Sequence, residues 1–261
     1  MTMTKVKRLY VLLCGFEIIP KTVSTRDRHP HVILSVPITV YLLDTDDGWV
    51  MFDAGIDEWH LRDPDQLHKH FLSTNWNPPP VVKEMHELGP QLARLGLGWG
   101  DIGTVVLSHL HGDHSGHIRH MPKARFVVQK REWDYAMGDP TPPAFFREDY
   151  DIEGLNWDII DGDHDLMAGV SLKFTPGHTP GHQSMVVDLP HLGTAVLAAD
   201  VGDLMENFTD LVLPGGSTND EDAMASIHRI NDLVTAHDAT LFLTHDHNLL
   251  LGLKLAPDYY D

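Results

Sequence analysis

Residues Ser108–His117 read SHLHGDHSGH, four histidines and one aspartate among ten residues. Imidazole and carboxylate are the groups that zinc and similar divalent cations prefer, and a catalytic centre built from them keeps a position open for water. His109 and His111 are two residues apart, so if the chain stays extended past the strand before them, both side chains leave on the same side. Gly112, without a Cβ, permits a sharp turn, and Asp113 and His114 follow it. One turn can then offer two imidazoles to one cation and a carboxylate with an imidazole to a second. The remaining ligands must come from elsewhere. TPGHTPGH places His178 in a Gly/Pro-rich turn, VLAAD ends an apolar run with Asp200, and LFLTHDH ends another with His245. Three apolar runs ending in His or Asp describe a site on the rim of a sheet.

The elements that must position these residues are mostly strands. Val36–Gly55 alternates, then runs apolar on both sides of Asp46-Asp47-Gly48, which predicts a hairpin. Leu9–Phe16 reads as a first strand: its apolar stretch is short, Glu17 interrupts it, and no small-residue cleavage site follows. Val105–Ser108, Arg125–Gln129, Ser171–Thr175, Ser184–Asp188, Thr194–Ala199 and Thr240–Thr244 are short runs of the same kind. Thr218 with Glu221 forms a capping-box pattern, and Ala223, Ile227, Ile230 and Val234 recur at helical spacing behind it. That predicts a helix over Asn219–Ala236. Shorter helices are expected at Gln91–Leu95, behind Pro90, and at Lys130–Met137. Residues 138–157 crowd proline and aromatics and read as an irregular insertion within one domain spanning 1–261.

Of the 261 residues, 42% are hydrophobic and 22% charged, ample for a globular core. The formal net charge of −19 repels phosphate backbones and argues against nucleic acid as a partner. No apolar run is long enough to span a membrane. Cys14 is the only cysteine, which removes any intramolecular disulfide or thiolate cage and suits the cytoplasm. There is no G-x-S-x-G elbow for a serine nucleophile.

HLHGDH (His109–His114), His178, Asp200 and His245 occur in the order and context of the metallo-β-lactamase superfamily, which the chain resembles from Val36 onward. FDAG (Phe52–Gly55) looks like that family's motif after its first hairpin. LGLGWGDIGTVVLSHLHGDHSG, TPGHTPGHQSMVV and the ending THDHNLLLGLKLAPDYYD are similar to its N-acyl-homoserine lactonase group. The resemblance implies an α/β (α+β) fold, an αβ/βα sandwich of two mixed sheets flanked by helices. It implies two divalent cations, zinc first, with manganese, iron or cobalt also fitting. His109, His111 and His178 would hold one cation, Asp113, His114 and His245 the other, and Asp200 would bridge. The implied reaction is opening of a lactone by a hydroxide shared between the metals. Asp113 and Asp200 are the expected catalytic carboxylates, ionised as ligands, with Asp200 relaying a proton to the leaving group. The expected partner is a small lactone or ester, and a homodimer is compatible with the sequence.

Two departures bear on substrate. The lactonases carry a tyrosine three residues after the bridging aspartate, where this chain has Asp203, and a bulky residue where it has Gly112. Asp203 should be ionised, able only to accept hydrogen bonds, and is expected to point away from the metals or to bind nearby backbone. An arylesterase or phosphotriesterase-like hydrolase on the same centre is the main alternative, and a metal-redox module a more distant one. His182 is expected to orient a ligand, as Asp53 could also do, unless it simply closes the hairpin. His117, His120 and His247 are expected in supporting or surface positions. Phe145, Phe146, Tyr150 and Trp157 are expected in core or interface more than in a substrate pocket.

Overall fold

Period-two alternation decides which face of a strand each side chain takes. In the computed structural model, which describes residues 4–261, the chain forms two sheets. The first runs β1 (Val6–Pro20), β2 (Ile33–Thr45), β3 (Gly48–Phe52), β4 (Ile102–Val106), β5 (Arg125–Gln129) and β6 (Asn156–Ile160) in that spatial order. The second holds β7 (His164–Met167), β8 (Val170–Phe174), β9 (Gln183–Leu189), β10 (Gly193–Leu197) and β11 (Thr240–Phe242), in the order β11-β10-β9-β8-β7. Both are mixed. β1, β2 and β3 pair antiparallel and β3 to β6 parallel, while β7 to β10 are antiparallel and β11 joins β10 in parallel.

Successive residues separate into layers. Leu9, Val11, Val106 and Val127 of the first sheet meet Leu172, Met185, Val187 and Leu197 of the second in the central core. Their neighbours Tyr10, Leu12, Val105, Phe126 and Val128 face the other way and pack under the helical segments that hold Leu88, Leu92 and Ile118. Val186 and Val196 face outward from the second sheet onto Ile227 and Ile230 of the helix Asp220–His237. A strand buried on both faces carries no polar alternation, which is why β4 and β5 read as continuous apolar runs. This is the expected sandwich of two mixed sheets flanked by helices.

Boundaries differ where side chains take over from the ladder. β4 ends at Val106, two residues short of the expected Ser108, because the Ser108 N–H donates to Asp53 Oδ1 at 2.7 Å. The long helix is capped by Asn219, whose side chain accepts from the Asp222 N–H at 3.0 Å. The Thr218 hydroxyl, expected in that role, instead donates to the Gly177 carbonyl at 3.0 Å. Residues 156 and 157 belong to β6, so the irregular segment stops before them. It carries a short helix, Arg147–Tyr150, and its Ala144 carbonyl accepts from the Gly112 N–H at 2.9 Å. The insertion is therefore stitched to the histidine-rich turn.

Candidate metal centre

The histidine-rich turn follows β4, His178 follows β8, Asp200 follows β10 and His245 follows β11. The ends of strands from both sheets thus meet at one edge of the sandwich. His111 Nδ1 lies 3.0 Å from His109 Nε2 and 3.1 Å from His178 Nε2. Asp200 Oδ2 is 3.4 Å from His178 Nε2 and 3.8 Å from His109 Nε2. Its other oxygen, Oδ1, is 3.3 Å from His114 Nε2 and 3.4 Å from His245 Nε2. Asp113 Oδ2 completes that second group, 3.3 Å from His114 Nε2 and 3.7 Å from His245 Nε2. All seven expected residues converge. One carboxylate presents one oxygen to each group.

The other ring nitrogens of His109, His114 and His245 are fixed by partners, which directs the converging nitrogens toward a metal. His114 Nδ1 pairs with Asp53 Oδ2 at 2.8 Å, and His245 Nδ1 donates to the Pro37 carbonyl at 2.8 Å. His109 Nδ1 meets Ser108 Oγ at 2.9 Å, and that hydroxyl donates to Asp53 Oδ2 at 2.9 Å. Asp53 therefore orients ligand histidines, one of the two roles its sequence context allowed. His182 does orient a candidate ligand, but through backbone: its Nε2 accepts from the Asp200 N–H at 3.1 Å, while Nδ1 donates to the Thr175 carbonyl at 3.0 Å. His117 and His120 stack on Trp99 and pair with Glu58 and Asp57, away from the centre. His247 opens the short helix His247–Leu250 outside the cluster.

The electrostatics match a cation site. Burial holds His109 well below the ordinary imidazole range and His111 at about 3, so both are lone-pair donors. Burial would also lower His114 and His245, yet Asp200 and neighbouring carboxylates raise His114 well above its usual value and His245 to about 10. Burial disfavours ionisation of Asp200, but His114, His245 and further imidazoles carry its pKa well below the carboxylate range. Among the described residues, His114 Nε2 and Asp200 Oδ1 are buried without a hydrogen-bond partner. Such atoms are costly unless something binds them. These residues fit divalent metal.

The centre opens into a cavity of about 810 Å³. His111, Asp113, His178, Asp200 and His245 line one end, and Ile18, Trp76, Pro142, Phe145 and Phe146 are among the apolar residues on its walls. Phe145 and Phe146 are thus buried and also pocket-lining, whereas Tyr150 and Trp157 belong to the core as expected. Gly112 has a reason the sequence did not reveal: a Cβ there would lie 2.3 Å from the Phe146 ring. Phe146 fills the space above that residue from the insertion.

One expectation is overturned. Asp203 does not turn away; only 8% exposed, it lines the cavity beside Asp200 and His245. Burial, reinforced by Asp200, pushes its carboxyl above the usual range. Glu17 lines the same end, and burial with Asp113 nearby pushes it up to about 8. Four carboxylates crowded together are tolerable only with cations or protons among them. Glu17 had a sequence signal, a lone acid in an apolar strand.

Glu132 had none. Fully buried in the helix Lys130–Ala136, it accepts from the Leu110 N–H at 3.0 Å through Oε1. Through Oε2 it accepts from the Thr179 hydroxyl at 2.6 Å and the Gly181 N–H at 3.1 Å. One carboxylate so ties the turn carrying His109 and His111 to the turn carrying His178. Gly181 is obligatory at that approach, since a Cβ would sit 2.0 Å from the Glu132 backbone nitrogen.

Known proteins share this architecture. The family model of the Metallo-beta-lactamase superfamily matches residues 35–245. An N-acyl homoserine lactonase of Bacillus cereus is 30% identical over 258 residues, 97% of this chain and 99% of its own. The N-acyl homoserine lactonase AttM of Azorhizobium caulinodans is 32% identical over 237 residues, 87% of this chain and 88% of its own. A solved N-acyl homoserine lactone hydrolase, with the product N-hexanoyl-L-homoserine bound at its catalytic metal centre, superposes with a TM-score of 0.89. It is 29% identical and covers 99% of this chain and 100% of its own. Matched by that model over most of its length and by these relatives over nearly all of it, the chain belongs to the metallo-beta-lactamase superfamily.

Proposed function

We propose that this protein is a dinuclear metal-dependent hydrolase that opens the ring of an N-acyl homoserine lactone or a related lactone. His109, His111 and His178 would hold one cation and Asp113, His114 and His245 the other, with Asp200 facing both groups. Zinc suits surroundings of this kind, in which His109, His111, His114, His178 and His245 outnumber the carboxylates of Asp113 and Asp200. The observation that carries the reading is Asp200, whose two oxygens face separate pairs of imidazoles. Cations bound there supply Lewis acidity, which draws a proton from water near neutral pH and withdraws electron density from an ester carbonyl.

The chain's own residues do the rest. Asp53, Ser108 and Pro37 fix the ring nitrogens that must not bind metal, so the facing nitrogens stay available. His182 holds the Asp200 backbone, which keeps each carboxylate oxygen on its own group. Asp113 and Asp200 remain ionised, and Asp200 is the carboxylate placed to pass a proton to the departing alcohol. Phe145, Phe146 and Ile18 offer an apolar wall for an acyl chain and exclude water along it. The single, buried Cys14 suits a reducing cytoplasm.

An arylesterase or phosphotriesterase on the same centre is favoured by one observation, the carboxylate of Asp203 where the lactonases carry a tyrosine. Initial rates of the zinc-loaded protein against homoserine lactones of graded acyl length, γ- and δ-lactones, aryl esters and phosphotriesters separate the two. Lactones should give the highest kcat/KM. Turnover of aryl esters or phosphotriesters with no lactone opened would overturn the first reading.

A further inference from the structure

A second group of metal-binding side chains lies behind the cavity wall, outside the seven-residue centre. His60 and His70 are buried, and Glu148 is half-buried at the cavity. His70 Nε2 is 2.7 Å from Glu148 Oε1 and 3.1 Å from Gln66 Oε1. Gln66 Oε1 is in turn 3.3 Å from His60 Nδ1. N and O ligands placed tetrahedrally at about 2.0–2.1 Å from zinc stand roughly 3.3–3.5 Å apart. The 3.1 and 3.3 Å separations to Gln66 match that scale as closely as the 3.0 and 3.1 Å among His109, His111 and His178. The 2.7 Å between His70 and Glu148 is a hydrogen-bond length that an ion would have to widen.

The hydrogen-bond pattern points the same way. His60 Nε2 meets Asp149 Oδ1 at 2.7 Å, with both side chains fully buried. That is the relation Asp53 has to His114 at 2.8 Å, a carboxylate fixing one ring nitrogen so that the other presents its lone pair. If Nε2 donates to Asp149 and Nδ1 carries no proton, Nδ1 sets a lone pair against Gln66 Oε1. Turning the Gln66 amide over relieves that contact but sets N–H against His70 Nε2, whose proton goes to Glu148. Either orientation leaves one mismatch, and one cation among the four atoms removes it. Lys69 also reaches Glu148 Oε1, at 2.6 Å, but its side chain is 57% exposed and can withdraw into water.

We propose that His60, His70 and Glu148, with Gln66 beside them, form a third divalent-cation site of the zinc type. It joins the segment Trp59–Leu72 to the helix Arg147–Tyr150. Both segments back the cavity: His70 and Glu148 line it, and the Phe146 ring stacks on His70 at 3.8 Å. An ion there would hold Phe146 over Gly112 and so set the shape of the wall beside the reacting end. It is a structural ion, and the inference does not depend on which ester the protein cleaves.

The test is zinc stoichiometry. Protein saturated with zinc chloride and desalted is measured by elemental analysis beside Glu148→Gln and His60→Ala variants. The parent should carry one zinc per chain more than either variant, and its melting temperature should fall by several degrees when that ion is lost. The quantity read is a difference, so it holds whether the seven-residue centre binds one cation or two. Should His60→Ala fail to fold, Glu148→Gln, which preserves volume at a half-exposed side chain, still decides. Equal zinc content in parent and Glu148→Gln overturns the proposal and leaves a hydrogen-bonded network without an ion.

Discussion

The two ends of the cavity are built differently. At the metal end, seven side chains leave the ends of strands in both sheets, and partners such as Asp53, Pro37 and His182 fix their orientation. The opposite wall comes from the ends of β1, the segment around Trp76 and the insertion that carries Phe145 and Phe146. The first end holds all seven residues that the resemblance to the lactonases led one to expect. The departures from the lactonase pattern, Gly112 and Asp203, lie where the two ends meet, and the Phe146 ring from the wall fills the space a side chain at 112 would need. A strand-end site is held by two sheets and tolerates little change, whereas a wall of connecting segments can be rebuilt without moving a ligand. On the proposed function, the chemistry belongs to the first end and the choice of substrate to the second.

The largest effect should follow from breaking the metal end at its shared residue. Asp200→Asn keeps the shape but leaves one acceptor oxygen where two now face separate imidazole pairs. Zinc content should drop at both positions together, and kcat/KM should fall by about a thousandfold, worth roughly 4 kcal/mol. Unchanged zinc content with near-parental turnover would mean that Asp200 joins nothing, and the contrast between the two ends would collapse.

How much of this was legible in the sequence follows the same division. His109, His111, Asp113, His114, His178, Asp200 and His245 were readable because each follows an apolar strand and metal ligation needs few residue types. The sandwich was readable because period-two alternation and doubly buried runs leave marks in a linear sequence. Contacts between distant polar residues leave none. His60 meets Asp149 across 89 residues, and Glu132 meets Thr179 across 47. Glu132 sits in KREWD, which reads as an ordinary solvated helix turn. The direction of Asp203 depends on the turn after β10, where Ala199 takes a φ of +48°, a backbone state that alanine's sequence context does not announce.

Glu132 offers a sharper test of how rigidly the metal end is held. Glu132→Gln replaces one accepting oxygen with an amide N–H facing a backbone or hydroxyl donor, a loss of about 1–3 kcal/mol. The effect should depend on pH. Burial raises the carboxyl from its ordinary value to about 7. Between about 4.5 and 7 the folded chain therefore holds a proton that the unfolded chain has lost, and stability from this group declines as pH rises through that window. Urea unfolding of chelator-treated protein should show a larger gap between parent and variant at pH 5 than at pH 7.5. A gap that is constant, or that widens with pH, would show that the carboxylate is ionised throughout and held by its three donors.

The smallest effect is expected at Asp203, where the two ends meet. A tyrosine there, the residue the resemblance to the lactonases implies, can donate a hydrogen bond to a substrate oxygen near neutral pH; Asp203, though burial raises its carboxyl, can donate only while it holds a proton. Asp203 lines the cavity beside Asp200 and His245, and the proposed reaction gives it no proton to move, since Asp200 and Asp113 are the carboxylates assigned to the reacting end. Asp203→Asn should leave hydrolysis of an activated aryl ester within a few-fold of the parent, because such a leaving group needs no donor. Asp203→Tyr should raise kcat/KM for homoserine lactones by about tenfold, roughly 1.4 kcal/mol, while aryl-ester rates stay level. That split would locate substrate choice in the wall and its rim, with the metal end indifferent. A hundredfold loss of aryl-ester activity in Asp203→Asn would place Asp203 among the groups that act on the reacting atoms, and the boundary between chemistry and selection would have to be drawn one residue deeper into the wall.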